Sequence, residues 1–468
     1  MTSAVSVQHG GSPQAPSADG FWNHYIETMP RERLDALHLH KIRSLLAYAY
    51  DRSPFYRGKL DAAGIAPHEI RTLDDFKRRV PFTDKPDFVQ IQREDPPYGT
   101  TLALPIELIA HHAETSGTTG VPLQIPYSMY DTVRYGESWA YGYWALGIRR
   151  SDSFYFAFNW GNFAGFWSAY WGARRLGCRV ISGGGLDTKG HIQAILDKNP
   201  TVLICTPTFA LRLAAVAAEM GVDLSASSIK YTYHAGEPGP TALPAVRRAI
   251  ERAYGAKAGE LLGIAEIDAM APGCPIGDGV HVNEMTVFAW AIDPHTGAEV
   301  GDGEIGELVV TSFANTAQPL INYRTHDLVR PTHTCACGRT WLKLEGAVLG
   351  RADFMVTVRG TNVYQAAVEN LLAEVPGMSS FYELVLRREK DNDTMTVRCE
   401  PTPAVPPDQW GAVGKAAGEH IHAALRVRLD VDMVPPGTLP RYEIKTKRII
   451  DERPPEFRRL LDRTGARA

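Results

Sequence analysis

Six cysteines in 468 residues are too few for a disulfide scaffold. No run approaches the roughly 18 uncharged apolar residues of a membrane-spanning helix. Neither sign of charge dominates: 49 basic against 53 acidic residues leave a formal charge of −4. That balance provides no electrostatic footprint for nucleic acid or an anionic membrane. The first twenty residues, MTSAVSVQHGGSPQAPSADG, have neither the basic nor the apolar region of a secretory signal and read as a flexible tail. A cytoplasmic protein is the expectation. One further absence is local. The stretch AETSGTTGVPLQIP, residues 113–126, gathers small and hydroxyl side chains as a phosphate-wrapping loop does, but it lacks the lysine of a Walker loop. Val121 and Leu123 stand where a lysine would complete it.

What is present is ordinary globular material, 44% hydrophobic and 22% charged, in a chain long enough for a large domain and a smaller one. RERLDALHLHKIRSLLAYAY (31–50) has helical apolar spacing, and His38 and His40 fall on different helix faces, where packing or surface roles suit them better than joint metal ligation. From 152 onward strand-like runs (SFYFAF, CRVIS, TVLICT, IKYTYHA) alternate with helical ones that end on Gly177, Gly221 and Gly255. This alternation predicts a parallel sheet covered by helices, with the loops NWGNFAG, TPTF and HAGEPG at the carboxyl ends of strands, where open sheets bind ligands. Beyond about 280 the pattern changes to strands joined by Gly- and Asp-rich turns, and a mixed segment with the helix AAVENLLAEV follows a boundary near 350. The expected fold class is α/β. A tail (1–20) precedes a large N-terminal domain of mixed and parallel sheets covered by helices (21–349), and a small α+β domain (350–468) closes the chain.

Two constellations carry chemistry. TSGTTG alone is either a Gly/Thr turn or a phosphate cradle, since glycines let backbone amides face an anion and hydroxyls add donors. Cys274 and His281 in CPIGDGVH, with Cys335 and Cys337 in CACG, form a carboxylate-free set of four ligands suited to a closed, structural zinc site. The alternative is unlinked thiols beside a surface histidine. Cys178, Cys205 and Cys399 read as small core residues.

TSGTTG, HAGEPGP (from 234), LGIAE (262), PLINYRTHDL (319), LGRADFMVTVRGTNVY (349) and PRYEIKTKR occur in this order. Together with AYDRSPFYRGKLDAAGI and TCACGRT, the string resembles the adenylate-forming (acyl-CoA synthetase) superfamily and, within it, the phenylacetate-CoA ligases. The resemblance implies that Ser116, Gly117, Thr118, Thr119 and Gly120 hold ATP phosphates, and that Ala235, Gly236, Glu237 and Pro238 line the adenine and acyl pockets with Leu262 and Gly263. It assigns Glu266 to Mg²⁺, Asp327 to the ribose hydroxyls, Arg351 to the ribose and phosphate, and Asp353 to a hinge about which the C-terminal domain swings. Lys445 matches the mobile catalytic lysine, with Lys447 as its rival. Arg359 and Gly360 match the segment along the pantetheine arm. Tyr141, Phe158, Trp160 and Phe163, with Gly236 and Gly263, are the expected acyl pocket, and its flat apolar walls suit an aromatic or cyclic acid. The sequence departs from the family pattern at Leu262, His326, Ile444 and Gln365.

The implied reaction is ATP-dependent formation of an acyl-adenylate from a carboxylic acid, then transfer to coenzyme A, with an amine such as an amino acid as the alternative acceptor. ATP, Mg²⁺ and structural zinc are the expected companions; no nucleic acid or membrane is implied, and a homodimer is left open.

Overall fold

The computed structural model describes residues 20–115, 122–352, 355–358, 361–389, 392–425, 427–440 and 448–453. The first long helix, α1 (Arg31–Arg52), buries Leu34, His38, Ile42, Leu46 and Ala49, one face at spacings of three and four. His38 lies inside, its Nε2 2.8 Å from the carbonyl of Glu284, whereas His40 is exposed. Helix α2 (Lys85–Glu94) starts on Asp84 through a capping box with Asp87. Strands β1 (Ile109–Glu114) and β2 (Gln124–Ser128) then pair antiparallel, and α3 (Met129–Leu146) follows on the N-cap Ser128.

The expected alternation is present. Strands β3 (Ser153–Phe156), β4 (Arg179–Ser182), β5 (Val202–Cys205), β6 (Tyr231–His234) and β7 (Lys257–Ile264) are joined by α4 (Ala164–Leu176), α5 (Thr188–Lys198), α6 (Pro207–Glu219) and α7 (Pro244–Tyr254). They lie in the order β4-β3-β5-β6-β7, all parallel, and β8 (Asp268–Pro272) adds an antiparallel edge strand. Gly177 and Gly255 end α4 and α7 in the left-handed conformation, φ 76° and 59°, which glycine adopts without a Cβ penalty. Alternate residues of each strand face opposite layers. Phe154, Phe156, Val202 and Ile204 pack with Trp139 and Tyr143 of α3, while Tyr155, Leu203 and Cys205 pack with Ile195, Leu213 and Ile250. Both faces are therefore dry, as a parallel sheet requires.

β9 (Gly279–His281) leads to a second sheet of β10 (Val287–Ile292), β11 (Gly306–Ser312), β12 (Leu320–Val329) and, after β13 (Lys343–Glu345), β14 (Gly350–Arg351). Beyond it lies a separate core, with Val368, Leu372, Leu384, Val397, Ala417 and Ile421 around the strands Met378–Glu389 and Asn392–Pro401. Among the described residues no helix is long and apolar enough to cross a membrane.

Candidate active site

The strand order reverses between β3 and β5, and at such a switch point the carboxyl-end loops splay to leave a crevice. The loop after β3 (NWGNFAG), the start of α6 after β5, and the AGEP loop after β6 border it. Asn162 of the β3 loop accepts the Glu114 amide at 2.7 Å, so the segment before the phosphate loop is tied to the candidate acyl loop. Thr115 closes the hairpin, donating its amide to the Leu123 carbonyl at 3.0 Å and accepting the Leu123 amide on Oγ1 at 2.9 Å. Ser116, Gly117, Thr118, Thr119, Gly120 and Val121 lie outside the described residues. Leu123 is buried in the main core at 1% exposure. It faces away from solvent, and a lysine there would bury an unpaired charge.

LGIAE ends β7 and turns into β8. Gly263 is needed at this turn, because a Cβ would lie 2.0 Å from the carbonyl oxygen of Asp268. Asp268, at φ +65°, is fully enclosed, and burial raises its carboxyl to about 7 despite a hydrogen bond with Ser168. Glu266 is nearly buried, and its carbonyl accepts from Asn315 Nδ2 at 2.9 Å. Its carboxylate faces Lys85 Nζ at 3.6 Å. Sequence reading overlooked Lys85, which lies far from every quoted motif. Only the N-cap position of TDKPDF, which starts a helix at that lysine, was there to find it.

Asp327 and Arg351 are cross-strand partners of β12 and β14, with Arg351 Nη1 3.2 Å from Asp327 Oδ1. The carboxylate is 7% exposed, and the same guanidinium also donates to the Thr325 carbonyl at 3.3 Å. Antiparallel register brings together a candidate ribose carboxylate and a candidate phosphate cation.

The other residues fall in distinct places. Glu237 accepts from the Thr208 amide at 3.1 Å and from Thr208 Oγ1 at 2.8 Å, which fixes the AGEP loop on the first turn of α6. Phe158 stacks on Phe166 with centroids 4.0 Å apart and meets Trp160 edge-on at 5.0 Å, while Phe163 is exposed. Tyr141 is not among them: it packs on Trp341 with Met29 and Leu34, because its face of α3 turns toward the N-terminal segment. Asp353, Arg359, Gly360 and Lys445 lie outside the described residues. The nearest described residues on either side are each held by a side-chain acceptor. Leu439 donates its amide to Glu400 Oε1 at 2.7 Å, and Arg448 donates its amide to Gln365 Oε1 at 2.9 Å.

The four predicted zinc ligands converge, their ligand atoms all within 4.8 Å of one another. Cys274 Sγ is 3.7 Å from Cys335 Sγ, and Cys337 Sγ is 3.3 Å from His281 Nε2. Tetrahedral S–Zn bonds of about 2.3 Å require such spacings, so the set fits zinc. His281 Nδ1 meets the Trp341 carbonyl at 3.2 Å, which leaves Nε2 to the cluster. Hydrogen bonds from Cys274 and His281 hold the Cys337 thiol well below its ordinary range.

Residues 112–317 match the AMP-binding enzyme family and residues 360–453 the AMP-binding enzyme C-terminal domain. The phenylacetate-coenzyme A ligase of Thermus thermophilus is 34% identical over 454 residues, covering 92% of this chain and 98% of that protein. The chain belongs to the adenylate-forming enzymes, in the phenylacetate-CoA ligase branch. The Escherichia coli phenylacetate-coenzyme A ligase, another of this branch, is 32% identical over 92% of the chain and 97% of its own length. Among solved adenylate-forming structures, 2-hydroxyisobutyryl-CoA ligase with 2-HIB-AMP in the postadenylation state superposes with a TM-score of 0.84 at 29% identity, covering 98% of both chains. The same enzyme with 2-HIB-AMP and CoA in the thioesterification state gives 0.71. The N-terminal α/β architecture and the separate C-terminal core are those of this family.

Proposed function

We propose that this chain converts a carboxylic acid and ATP to an acyl-adenylate and pyrophosphate, then passes the acyl group to the thiol of coenzyme A. The observation that carries the reading is the pairing of Asp327 with Arg351, with Glu266 facing Lys85, in a chain alike over nearly its whole length to CoA ligases. Asp327 is a two-oxygen acceptor for both ribose hydroxyls. Arg351 both holds that carboxylate in place and offers charge to the phosphate side. Lys85 contributes the cation absent from SGTTG, alongside the hydroxyls of Ser116, Thr118 and Thr119. Glu266 would hold Mg²⁺, a hard cation that neutralises phosphate oxygens when bound.

Lys445 supplies an ammonium where the attacking carboxylate and the α-phosphate, both anionic, meet. Charge stabilisation of this kind acts on the transition state more than on the bound substrates. Rotation of the segment beyond Asp353 then withdraws Lys445 and brings Arg359 and Gly360 to the pantetheine arm. The acid is aromatic or cyclic: Phe158, Trp160 and Phe166 form flat walls beside the crevice. Zinc on Cys274, His281, Cys335 and Cys337 would cross-link the β8–β9 connection to the 335–341 loop, a structural role with no open coordination position.

The test is a two-stage assay. Purified protein with ATP, Mg²⁺ and a panel of aryl, cyclic and small hydroxy acids is followed by pyrophosphate release. CoA or an amino acid is then added and products are identified by mass spectrometry. The expected result is acid-dependent pyrophosphate followed by a thioester. Amide product without thioester would reassign the acceptor, and absence of acid-dependent pyrophosphate would overturn the adenylation reading.

A further inference from the structure

His326 departs from the family pattern in YRTHD, and it occupies an unusual place. Its backbone is left-handed, φ 59°, a region that non-glycine residues enter when their surroundings over-determine it. Two carboxylates from distant segments grip the ring. Nε2 lies 3.0 Å and 3.2 Å from the two oxygens of Asp84, and Nδ1 lies 3.1 Å from Glu307 Oε1. Both ring nitrogens can donate only in the imidazolium. Burial alone would lower its proton affinity, but these hydrogen bonds and charges raise it to about 10. Arg324 completes the cluster, its Nε donating to Glu307 Oε1 at 3.0 Å.

The two neighbours of this clasp are site residues. Asp84 is the N-cap of α2, and Lys85 next to it reaches Glu266. Backbone bonds lay the Thr83–Asp84 segment along β12: Thr83 donates to the Asn322 carbonyl, and Arg324 donates to the Thr83 carbonyl, each at 3.0 Å. On the other side, Asp327 directly follows His326 in the chain and faces Arg351.

We infer that His326 is a positioning residue of the nucleotide site: by clasping Asp84 and Glu307 it holds Lys85 against Glu266 and Asp327 against Arg351. The inference rests on the nucleotide-binding reading above, but the clasp itself can be read without nucleotide. A glycine at this position would suit the backbone angle and supply no link between α2 and β12. The imidazolium accepts the backbone cost and joins two acidic groups, Asp84 at the start of α2 and Glu307 on β11.

The experiment compares wild type with His326→Gln, which keeps a polar side chain without the charge, and with His326→Arg, which keeps the charge. Without nucleotide, hydrogen exchange over 83–88 should speed up in His326→Gln and remain near wild type in His326→Arg. Histidine ring NMR should show an imidazolium that persists at pH 8 in wild type and is missing from both variants. With ATP and Mg²⁺, His326→Gln should weaken binding about tenfold and His326→Arg should stay within about twofold of wild type. In the double variant with Lys85→Ala, the combined loss of ATP affinity should fall short of the product of the single losses. Unchanged exchange over 83–88 in His326→Gln overturns the clasp, and wild-type ATP affinity in that variant overturns its positioning role. Faster exchange in His326→Gln, together with wild-type protein that does not bind ATP, overturns the nucleotide reading and leaves the clasp standing.

Discussion

Lys85 Nζ lies 3.6 Å from the Glu266 carboxylate, joining the first turn of α2 to the turn between β7 and β8. No lysine is found in the described part of the phosphate hairpin, and this one approaches from another segment. Its stem is partly covered, so the ammonium is aimed at one region and does not sample the surface freely. Lys85→Ala should raise the KM for ATP and slow pyrophosphate release by on the order of 10-fold to 10²-fold, the range expected for one charge-assisted contact to a phosphate. Lys85→Arg should recover part of that loss. Initial rates across an ATP series decide it, and Lys85→Ala kinetics equal to wild type would exclude the role.

Asp327 accepts from Arg351 while being nearly buried. Asp327→Asn keeps the shape but loses the charge and one acceptor, so it should weaken ATP binding by about 10-fold or more. Calorimetry on the variant, with its melting temperature recorded as a folding check, measures this directly. Binding unchanged by the substitution contradicts a ribose role.

Lys445→Ala should abolish adenylation, a loss of about 10²–10³ or more, yet largely spare thioester formation from preformed adenylate. The two half-reactions, assayed separately, report this split. Equal loss of both means that Lys445 serves folding or the acceptor step instead.

The metal cluster predicts about one equivalent of zinc in fresh protein, by elemental analysis. Cys335→Ser should lower that content well below half an equivalent, and the melting temperature by about 4 °C or more. Retention of full stability after complete chelation contradicts a structural metal.

The acid–base behaviour of the His326 clasp has a definite sign. Its raised value, about 10 against an ordinary 6.5, means that its stabilisation is complete below about pH 6.5 and is lost as pH climbs toward 10. Burial would raise Glu307, but His326 and Arg324 pull it down to about 2, so its share is present above its ordinary 4.5 and disappears as pH falls through 2. Melting temperatures from pH 6 to 10 should therefore decline more steeply in wild type than in His326→Arg, whose charge persists. Parallel curves would show that the imidazolium contributes no stability.

Much of the scaffold was legible in the sequence for simple reasons. Short apolar runs separated by amphipathic helices leave a parallel, doubly covered sheet as the economical way to pair backbone groups, and glycines after the helices marked their ends. The zinc-like set was legible as well, because thiols and an imidazole without a carboxylate constrain their own chemistry. Other assignments depended on which way a helix face turns. Tyr141 belongs to the same aromatic-rich helix as Trp139 and Tyr143, yet it packs beside Met29 and Trp341, and Leu123, offered as a lysine position, is core.

The sequence by itself determined the elements, their order and the chemical types gathered in each motif, since these follow from local periodicity and composition. Only the tertiary structure decided which distant groups meet. Lys85 reaches Glu266, His326 bridges Asp84 and Glu307, and Asp327 faces Arg351 because chain crossings and strand register place them together. Charge interactions depend on separation through space, and separation along the chain does not encode it.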